Sequence, residues 1–105
     1  MNSEKNFEYL EKKFTNGPDV TSGQMMSSPG LKYRNKVFAF YHKEKMGFRL
    51  GPNFDPDKMG VKNAEPLSPF KTKPPLKGWF MISKDQDDLW EPLTEMALEF
   101  TKTLK

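Results

Sequence analysis

The sequence predicts an α+β domain, with a single antiparallel sheet of four to five strands flanked by an N-terminal helix and a long C-terminal amphipathic helix. Three observations predict this fold class. Apolar residues recur at helical spacing near both ends of the chain, they alternate at strand spacing in the middle, and prolines interrupt the region from residue 51 to residue 78. A length of 105 residues indicates one domain, over residues 1–105.

The N-terminal helix is predicted from a short apolar stripe. Asn2 or Ser3 can cap it, because their side-chain oxygens accept hydrogen bonds from the first free backbone amides. The stop signal Asn16-Gly17-Pro18 ends it, since glycine accepts a left-handed conformation and proline cannot continue the helix. The stripe consists of Phe7, Leu10 and Phe14.

The C-terminal helix is predicted from a longer stripe. Asp88 and Glu91 have the spacing of a capping box, and Pro92 lies close enough to the start to be tolerated. The apolar positions then continue to the end of the chain, which favours a helix with one face on a core. They are Leu89, Leu93, Met96, Ala97, Phe100 and Leu104.

The strand pattern begins ambiguously. Gln24–Ser28 and Leu31–Tyr33 are short, ambiguous segments that form either one bent strand or two. Ser28-Pro29-Gly30 is the predicted turn between them, because proline presets its backbone angle and glycine tolerates positive φ.

The next strands have a clearer alternation. Lys36–Tyr41 is predicted to be a central strand, with Phe38 and Phe40 on one side and Val37, Ala39 and Tyr41 on the other. His42–Lys45 is the predicted hairpin turn. In Met46–Leu50 the apolar residues alternate with Gly47 and Arg49, which indicates a strand with one face on the core. A short helix is predicted at residues 56–61 after Asp55, and Trp79–Ile82 is predicted to be a further strand.

The residue types that perform catalysis and bind metals are scarce. The chain has no cysteine and one histidine, His42. An exposed position in the predicted turn is the main interpretation of His42, and a partner contact or pH-sensitive contact is the alternative. Acidic residues cluster at residues 55–57 and 85–88, next to predicted helix starts, where capping is the main interpretation and Mg²⁺ ligation the alternative. The seven glycines have no phosphate-loop or dinucleotide spacing. No catalytic, cofactor-binding or metal-binding residue is therefore predicted.

Positive charge is concentrated in the middle of the chain. Residues 31–78 contain eleven Lys or Arg against four Asp or Glu, whereas residues 79–105 contain three against six. The main interpretation is that these lysines keep a small domain soluble. The alternative is attraction of the basic middle to the acidic C-terminal part, to another copy or to an anionic partner. The candidate anion or partner contacts are Lys71, Lys73, Lys77 and Arg49. Nucleic-acid contact by the basic loop around Lys71 is the alternative to a solvated linker.

The N-terminal sequence predicts the compartment. Residues 1–14 carry charges throughout and lack the apolar stretch of a signal peptide, and no later run has the length of a membrane span. The absence of cysteine fits a reducing compartment. We therefore expect a cytoplasmic protein with no membrane association.

Several short motifs carry a family resemblance. In chain order they are Gly23-Gln24-Met25-Met26, Gly30-Leu31, Lys36-Val37-Phe38-Ala39-Phe40, Met46–Leu50, Pro69-Phe70 and Trp79-Phe80-Met81-Ile82, followed by the amphipathic helix. Together they resemble the TfoX (Sxy) N-terminal domain family from about residue 20 to the end. The chain departs from that pattern at Ser27-Ser28 and at Arg49-Leu50, so the neighbouring YjbR-like family is the alternative.

The resemblance implies a function as well as a fold. Its namesakes are cytoplasmic regulators of bacterial competence genes, and the family pattern supplies no catalytic residues. We therefore expect a small non-enzymatic regulatory or protein-interaction module with no cofactor, which binds a protein partner or forms a homodimer through a sheet edge or a helix surface. The alternative is a small basic nucleic-acid-associated protein.

Overall fold

The computed structural model contains one antiparallel sheet with two α-helices and two 3₁₀ helices. It describes residues 3–17, 19–25, 28–51, 53–62, 65–67 and 76–104. The strands are β1 (Val20–Met25), β2 (Ser28–Tyr33), β3 (Lys36–His42), β4 (Lys45–Arg49), β5 (Glu65–Leu67) and β6 (Leu76–Ser83). Their order across the sheet is β1-β2-β3-β4-β6-β5. The predicted α+β class is confirmed, with five strands of five residues or more and the three-residue β5 added at one edge.

The first helix agrees with its predicted stripe. Helix α1 spans Ser3–Phe14, and both Phe7 and Leu10 are buried on its sheet-facing side. Phe14 is half-buried at the end of the helix, before Gly17. Acidic Glu4 lies in the first turn and basic Lys12 and Lys13 lie in the last, which matches the helix dipole.

The second helix differs from its prediction at the start. A 3₁₀ helix (Lys84–Leu89) leads directly into α2 (Trp90–Lys102), so the chain is already helical before the predicted cap. The capping box of Asp88 and Glu91 is wrong, because Leu89 is the cap residue and makes no side-chain capping bond. The Glu91 carboxylate instead accepts a hydrogen bond from Lys13 at 2.8 Å.

The buried stripe of α2 is also rotated from the predicted one. Leu93 and Ala97 are buried as expected, but Met96 is 38% exposed. Trp90, Thr94 and Thr101 complete the buried face instead. The Trp90 indole is fully buried, and its Nε1 donates to the carbonyl of Ile82 at 3.3 Å.

Two tight hairpins join the central strands. The β2–β3 turn has Arg34 and Asn35 at its centre and the β3–β4 turn has Lys43 and Glu44, all with positive φ. Positive φ at both central residues characterises the type I′ turn, whose twist matches that of the flanking strands. The β3–β4 turn lies within the predicted His42–Lys45 segment, so that prediction is confirmed.

The turn predicted at Ser28-Pro29-Gly30 is wrong, because all three residues lie inside β2. Gly30 is required there for space rather than for a turn. A Cβ atom on Gly30 would lie 2.6 Å from the carbonyl oxygen of Ala39 on the neighbouring strand. Pro29 pairs with Gln24 of β1 and precedes the first residue that pairs with β3, so its missing N–H does not interrupt the β2–β3 pairing.

A β-bulge in β3 changes which residues share a face. Leu31 pairs with Ala39 and Lys32 pairs with Val37, which leaves Phe38 as an extra residue. Phe38 consequently packs on the helix side, whereas Phe40 packs on the opposite side of the sheet. The prediction that both phenylalanines share one face is wrong, although β3 is central and apolar on both faces as predicted.

The main core lies between the sheet and the helices. Among the described residues it contains fourteen buried side chains, supplied by α1, by α2, by five strands and by the loop residues Leu50 and Val61. The predicted short helix is confirmed as a 3₁₀ helix (Pro56–Met59), in which the Asp55 carboxylate accepts from the Asp57 amide at 3.0 Å. The predicted strand at Trp79–Ile82 is confirmed within β6. Within the described ranges, no helix is long and apolar enough to cross a membrane.

Candidate interaction surface

The sheet face opposite α1 and α2 is called the helix-free face, because none of the described helices contributes to its packing. Strand pairing arranges its residues in rows across the sheet. The middle row contains Gly23, Gly30, Phe40, Gly47 and Met81. The row on one side contains Lys32, Val37, Arg49 and Trp79, and the row on the other side contains Ser28, His42 and Lys45.

The middle row is packed by large side chains that lie over glycine. A Cβ atom on Gly47 would lie 2.3 Å from the Phe40 ring and 2.9 Å from the Met81 sulfur, so both groups occupy the space above that glycine. The Phe40 and Trp79 ring centroids are 5.7 Å apart. Phe40 is fully buried and Trp79 is 7% exposed, so neither ring is available to stack on an external group.

Positively charged side chains flank this apolar row. Lys32 lies over β1, since a Cβ atom on Gly23 would lie within 2.4–2.9 Å of the Lys32 methylenes Cγ to Cε. Arg49 is half-buried and pairs in register with Trp79. Lys45 pairs with His42 at the far end of β3 and β4. The cations therefore form two flanks around a buried centre.

The candidate contacts from the sequence are only partly located. Arg49 ends β4 on the helix-free face. Lys77 lies in β6, and its side chain is outside the described part of the chain, as are residues Lys71 and Lys73 altogether. Whether these four residues act together stays a prediction.

His42 has one partner that the sequence does not indicate. It is the last residue of β3 and is exposed, as predicted. Its Nδ1 lies 2.8 Å from the hydroxyl of Ser28, which is only 5% exposed. This pair joins the ends of β2 and β3. Among the described residues, no group of three or more His, Asp or Glu side chains could hold a metal ion.

The two edges of the sheet differ in length and chemistry. β1 is six residues long, contains no proline and no charged residue, and exposes Thr21, Ser22 and Gln24. β5 at the other edge has three residues, includes Pro66, and has an irregular register between Pro66 and Leu67. Proline and short length protect an edge from further pairing, so β1 is the edge that can accept another strand.

Ion pairs hold the periphery of the fold. Lys13 joins α1 to Glu91 of α2 at 2.8 Å, Arg34 joins the β2–β3 turn to Asp19 at 3.2 Å, and Lys84 joins the second 3₁₀ helix to Glu44 at 3.1 Å. The hydrogen bond to Glu91 raises the pKa of Lys13, and the same bond lowers the pKa of Glu91. All of these groups are exposed at the surface, so the pairs orient the elements more than they stabilise them.

A polar cleft lies beside the second 3₁₀ helix. The Gln86 side chain spans it, accepting from the Lys62 amide at 2.9 Å and donating to the Gly60 carbonyl at 3.3 Å. Asp85 and Asp88 also line the cleft and are exposed. The bridging amide thus fixes the Gly60–Lys62 loop to the helix.

No protein-family model, curated protein sequence or solved structure matches the chain. The resemblance to the TfoX N-terminal domain family therefore stays a prediction that rests on the motifs.

The interaction surface includes residues that sequence patterns did not single out. The open edge depends on the order of strands, which a linear pattern does not specify. Lys32 was one lysine among many, and its position over Gly23 follows from strand pairing. The available signal was the composition of Val20–Met25, an uncharged segment within a chain in which 30% of residues are charged.

Proposed function

We propose that the chain is a small non-enzymatic regulatory or protein-interaction module of the cytoplasm, which binds its partner along β1. The observation that carries this proposal is the contrast between the two sheet edges. β1 is the outermost strand, is six residues long and lacks proline, and alternate residues of such a strand direct their N–H and C=O groups to the open edge, whereas β5 is short and contains Pro66. An extended segment that pairs with an open edge gains main-chain hydrogen bonds without needing a deep pocket.

The helix-free face supports a role for charge in this binding. Lys32 and Arg49 lie on one side of the buried middle row, and Lys45 lies on the other. Cations on a surface speed the approach of an anionic partner and select against a cationic one. The partner segment is therefore expected to place an acidic residue on the helix-free face.

Site-specific photocrosslinking tests the proposal. A benzoylphenylalanine side chain is placed at Gln24 on β1 or, as the control, at Lys58 on the first 3₁₀ helix, and each variant is illuminated in extract of its native cells. We expect a discrete protein adduct from the Gln24 position only. The adduct should disappear when Thr21→Lys places a charge on the edge. Equal adducts from both positions, or an adduct that survives Thr21→Lys, would contradict binding along β1.

Nucleic-acid binding is the second candidate, favoured by the cations of the helix-free face. The buried Phe40 and Trp79 rings argue against base stacking, so such binding would rely on phosphate contacts. Fluorescence anisotropy with a labelled DNA duplex and a labelled single strand, at low and at physiological salt, separates the two candidates. Binding that weakens steeply with salt and is lost in Arg49→Glu would favour nucleic acid over a protein partner.

A further inference from the structure

The outer strand β1 has a charge of opposite sign on each of its two faces. On the helix-free face, the Lys32 stem crosses from β2 and lies over Gly23, which places its ammonium group at the outermost strand. Among the described residues, Lys32 takes part in no ion pair. On the helix face, Ser22 Oγ donates to the Glu11 carboxylate of α1 at 3.1 Å. Ser22 and Gly23 are consecutive, so the two charges flank the same point on the edge.

We propose that β1 selects an extended segment of a different protein in which an acidic and a basic residue are adjacent. The acidic residue lies beside Gly23 and meets Lys32, and the basic residue lies beside Ser22 and meets Glu11. Consecutive residues of a strand point to opposite faces, so in a segment that pairs antiparallel with β1 one Glu-Lys or Asp-Arg step satisfies both charges. This inference rests on the proposed function and specifies the chemistry of the partner.

The same two charges act against pairing with a second copy. A two-fold axis perpendicular to the sheet would pair β1 antiparallel with itself and keep the helices on one side. Directly opposed or diagonal residues in such a pair lie roughly 5–8 Å apart. When the axis passes near Ser22 and Gly23, Lys32 would approach Lys32 of the copy on the helix-free face, and Glu11 would approach Glu11 of the copy on the helix face. Like charges that face each other across the pair are destabilising, so a partner with the complementary pattern is favoured.

Two peptides of identical composition test the inference. The first, capped Val-Thr-Glu-Lys-Val-Thr, places glutamate with the valines on one face and lysine with the threonines on the other. The second, capped Val-Thr-Lys-Glu-Val-Thr, exchanges the two charges. Each is titrated into the ¹⁵N-labelled full chain and followed by amide chemical shifts. We expect both titrations to shift amides of β1, with the first peptide binding about threefold more tightly, the ratio that an exposed ion pair supports.

Charge reversal at Lys32 makes the test specific to the proposed contact. Lys32→Glu should invert the preference, so that the second peptide binds more tightly. Lys58→Glu, which changes the net charge equally on an exposed residue of the first 3₁₀ helix, should leave the preference unchanged. The spectra of both variants report whether the fold is retained.

The outcomes separate this inference from the proposed function. One outcome is that crosslinking identifies a partner on β1 while the two peptides bind equally or neither binds. In that case the proposed preference for an acidic-basic step is wrong, whereas the proposed binding along β1 stands. If Lys32→Glu does not invert the preference, or the shifts lie away from β1, the proposed preference is also overturned. A dimer in sedimentation equilibrium that Thr21→Lys dissociates would show that a second copy occupies the edge, which overturns the inference as well.

Discussion

The two faces of the sheet bury apolar surface in different ways. On the helix face, fourteen buried residues of the described part of the chain form one core. They come from α1, α2, five strands and the loop positions Leu50 and Val61. On the helix-free face, the buried cluster consists of Phe40, Trp79 and Met81, all from strands, with Val37 packed against it. Helices bring distant parts of the chain over the first face, whereas on the second face side chains from neighbouring strands lie over glycines.

The difference suggests a division of roles between the faces. The helix face has the large cluster that stabilises a small domain, because most of the apolar area removed from water lies there. The helix-free face has a thin cluster with cations on both flanks and an open edge beside it. The helix face is therefore expected to contribute more to stability than the helix-free face, and substitutions on the two faces test this separately.

Two buried phenylalanines on adjacent strands give the largest test of this comparison. Phe48 lies in the helix-face core and Phe40 in the helix-free cluster, and both are fully buried. We expect Phe48→Ala to lower the free energy of unfolding by roughly 3–5 kcal/mol, because helices and sheet cannot close the cavity. Phe40→Ala should cost less, about 2–3 kcal/mol, because flexible Met81 can move into the space. Urea denaturation measures both. Equal losses in the free energy of unfolding would contradict a larger contribution of the helix face to stability.

Glycine substitutions sharpen the description of the helix-free face. Gly47→Ala should lower the free energy of unfolding by roughly 1–3 kcal/mol, because the new Cβ would overlap the Phe40 ring at 2.3 Å. The penalty should shrink in a Phe40→Leu background, where the smaller side chain leaves room. Gly17→Ala is the matched control, since no atom lies within 4 Å of its Cβ position, and it should leave stability nearly unchanged. A penalty at Gly47 that persists without the Phe40 ring would contradict this packing.

Two threonines on α2 test whether the buried polar groups of the helix face all have hydrogen-bond partners. Thr94 and Thr101 are both buried against the sheet, but only Thr94 has a partner, the Trp90 carbonyl at 2.6 Å. The Thr101 hydroxyl has none among the described residues. We expect Thr101→Val to raise the free energy of unfolding by about 1 kcal/mol, because it removes an unsatisfied buried hydroxyl while keeping the shape. Thr94→Val should be neutral or destabilising. If both substitutions change thermal stability equally, the hydroxyl of Thr101 is not unsatisfied in solution.

Sequence patterns predict the helix face better than the helix-free face. The apolar stripe of α1 and the alternation in β4 follow burial on the helix face, so their periodicity is visible in the chain. The bulge at Phe38 cannot be seen in the sequence, because the extra residue moves the Phe38 side chain to the other face of the sheet without any change in residue type. Composition therefore identifies β3 as a buried strand. It does not show that its two phenylalanines lie on opposite faces of the sheet.

Turns and helix caps can be predicted from the sequence only where a particular residue type is required at a particular position. The Asp55-Pro56 start of the first 3₁₀ helix has a specific capping residue and was found. The β2–β3 turn uses Arg34 and Asn35, with no glycine at either positive-φ position, so its strongest signal is missing. Gly30 gave a misleading turn signal because the glycine serves close packing between strands. The capping box of Asp88 and Glu91 does not form, and the partner of Glu91 is Lys13, which is distant in sequence and so gives no local signal.

The smallest predicted effect lies at the rim of the helix face, in the Lys13–Glu91 pair. The pKa of Glu91 is lowered from its ordinary 4.5, so its contribution to stability is fully present above that value and is lost as pH falls through the lowered pKa. The pKa of Lys13 is raised from 10.5, so its contribution is present below that value and is lost as pH rises through the raised pKa. The pair therefore joins α1 to α2 throughout the neutral range.

Thermal unfolding of Glu91→Gln across pH measures this contribution. The variant should melt slightly below the parent chain at neutral pH, and the difference should vanish in acid, where the parent's Glu91 is itself protonated. Added salt should shrink the difference, because both groups are exposed and their attraction is screened. Glu8→Gln, a change of the same kind at an exposed position of α1, is the control and should show no such pH dependence. If the difference in melting temperature persists in strong acid, packing of the Glu91 side chain rather than its charge accounts for the difference.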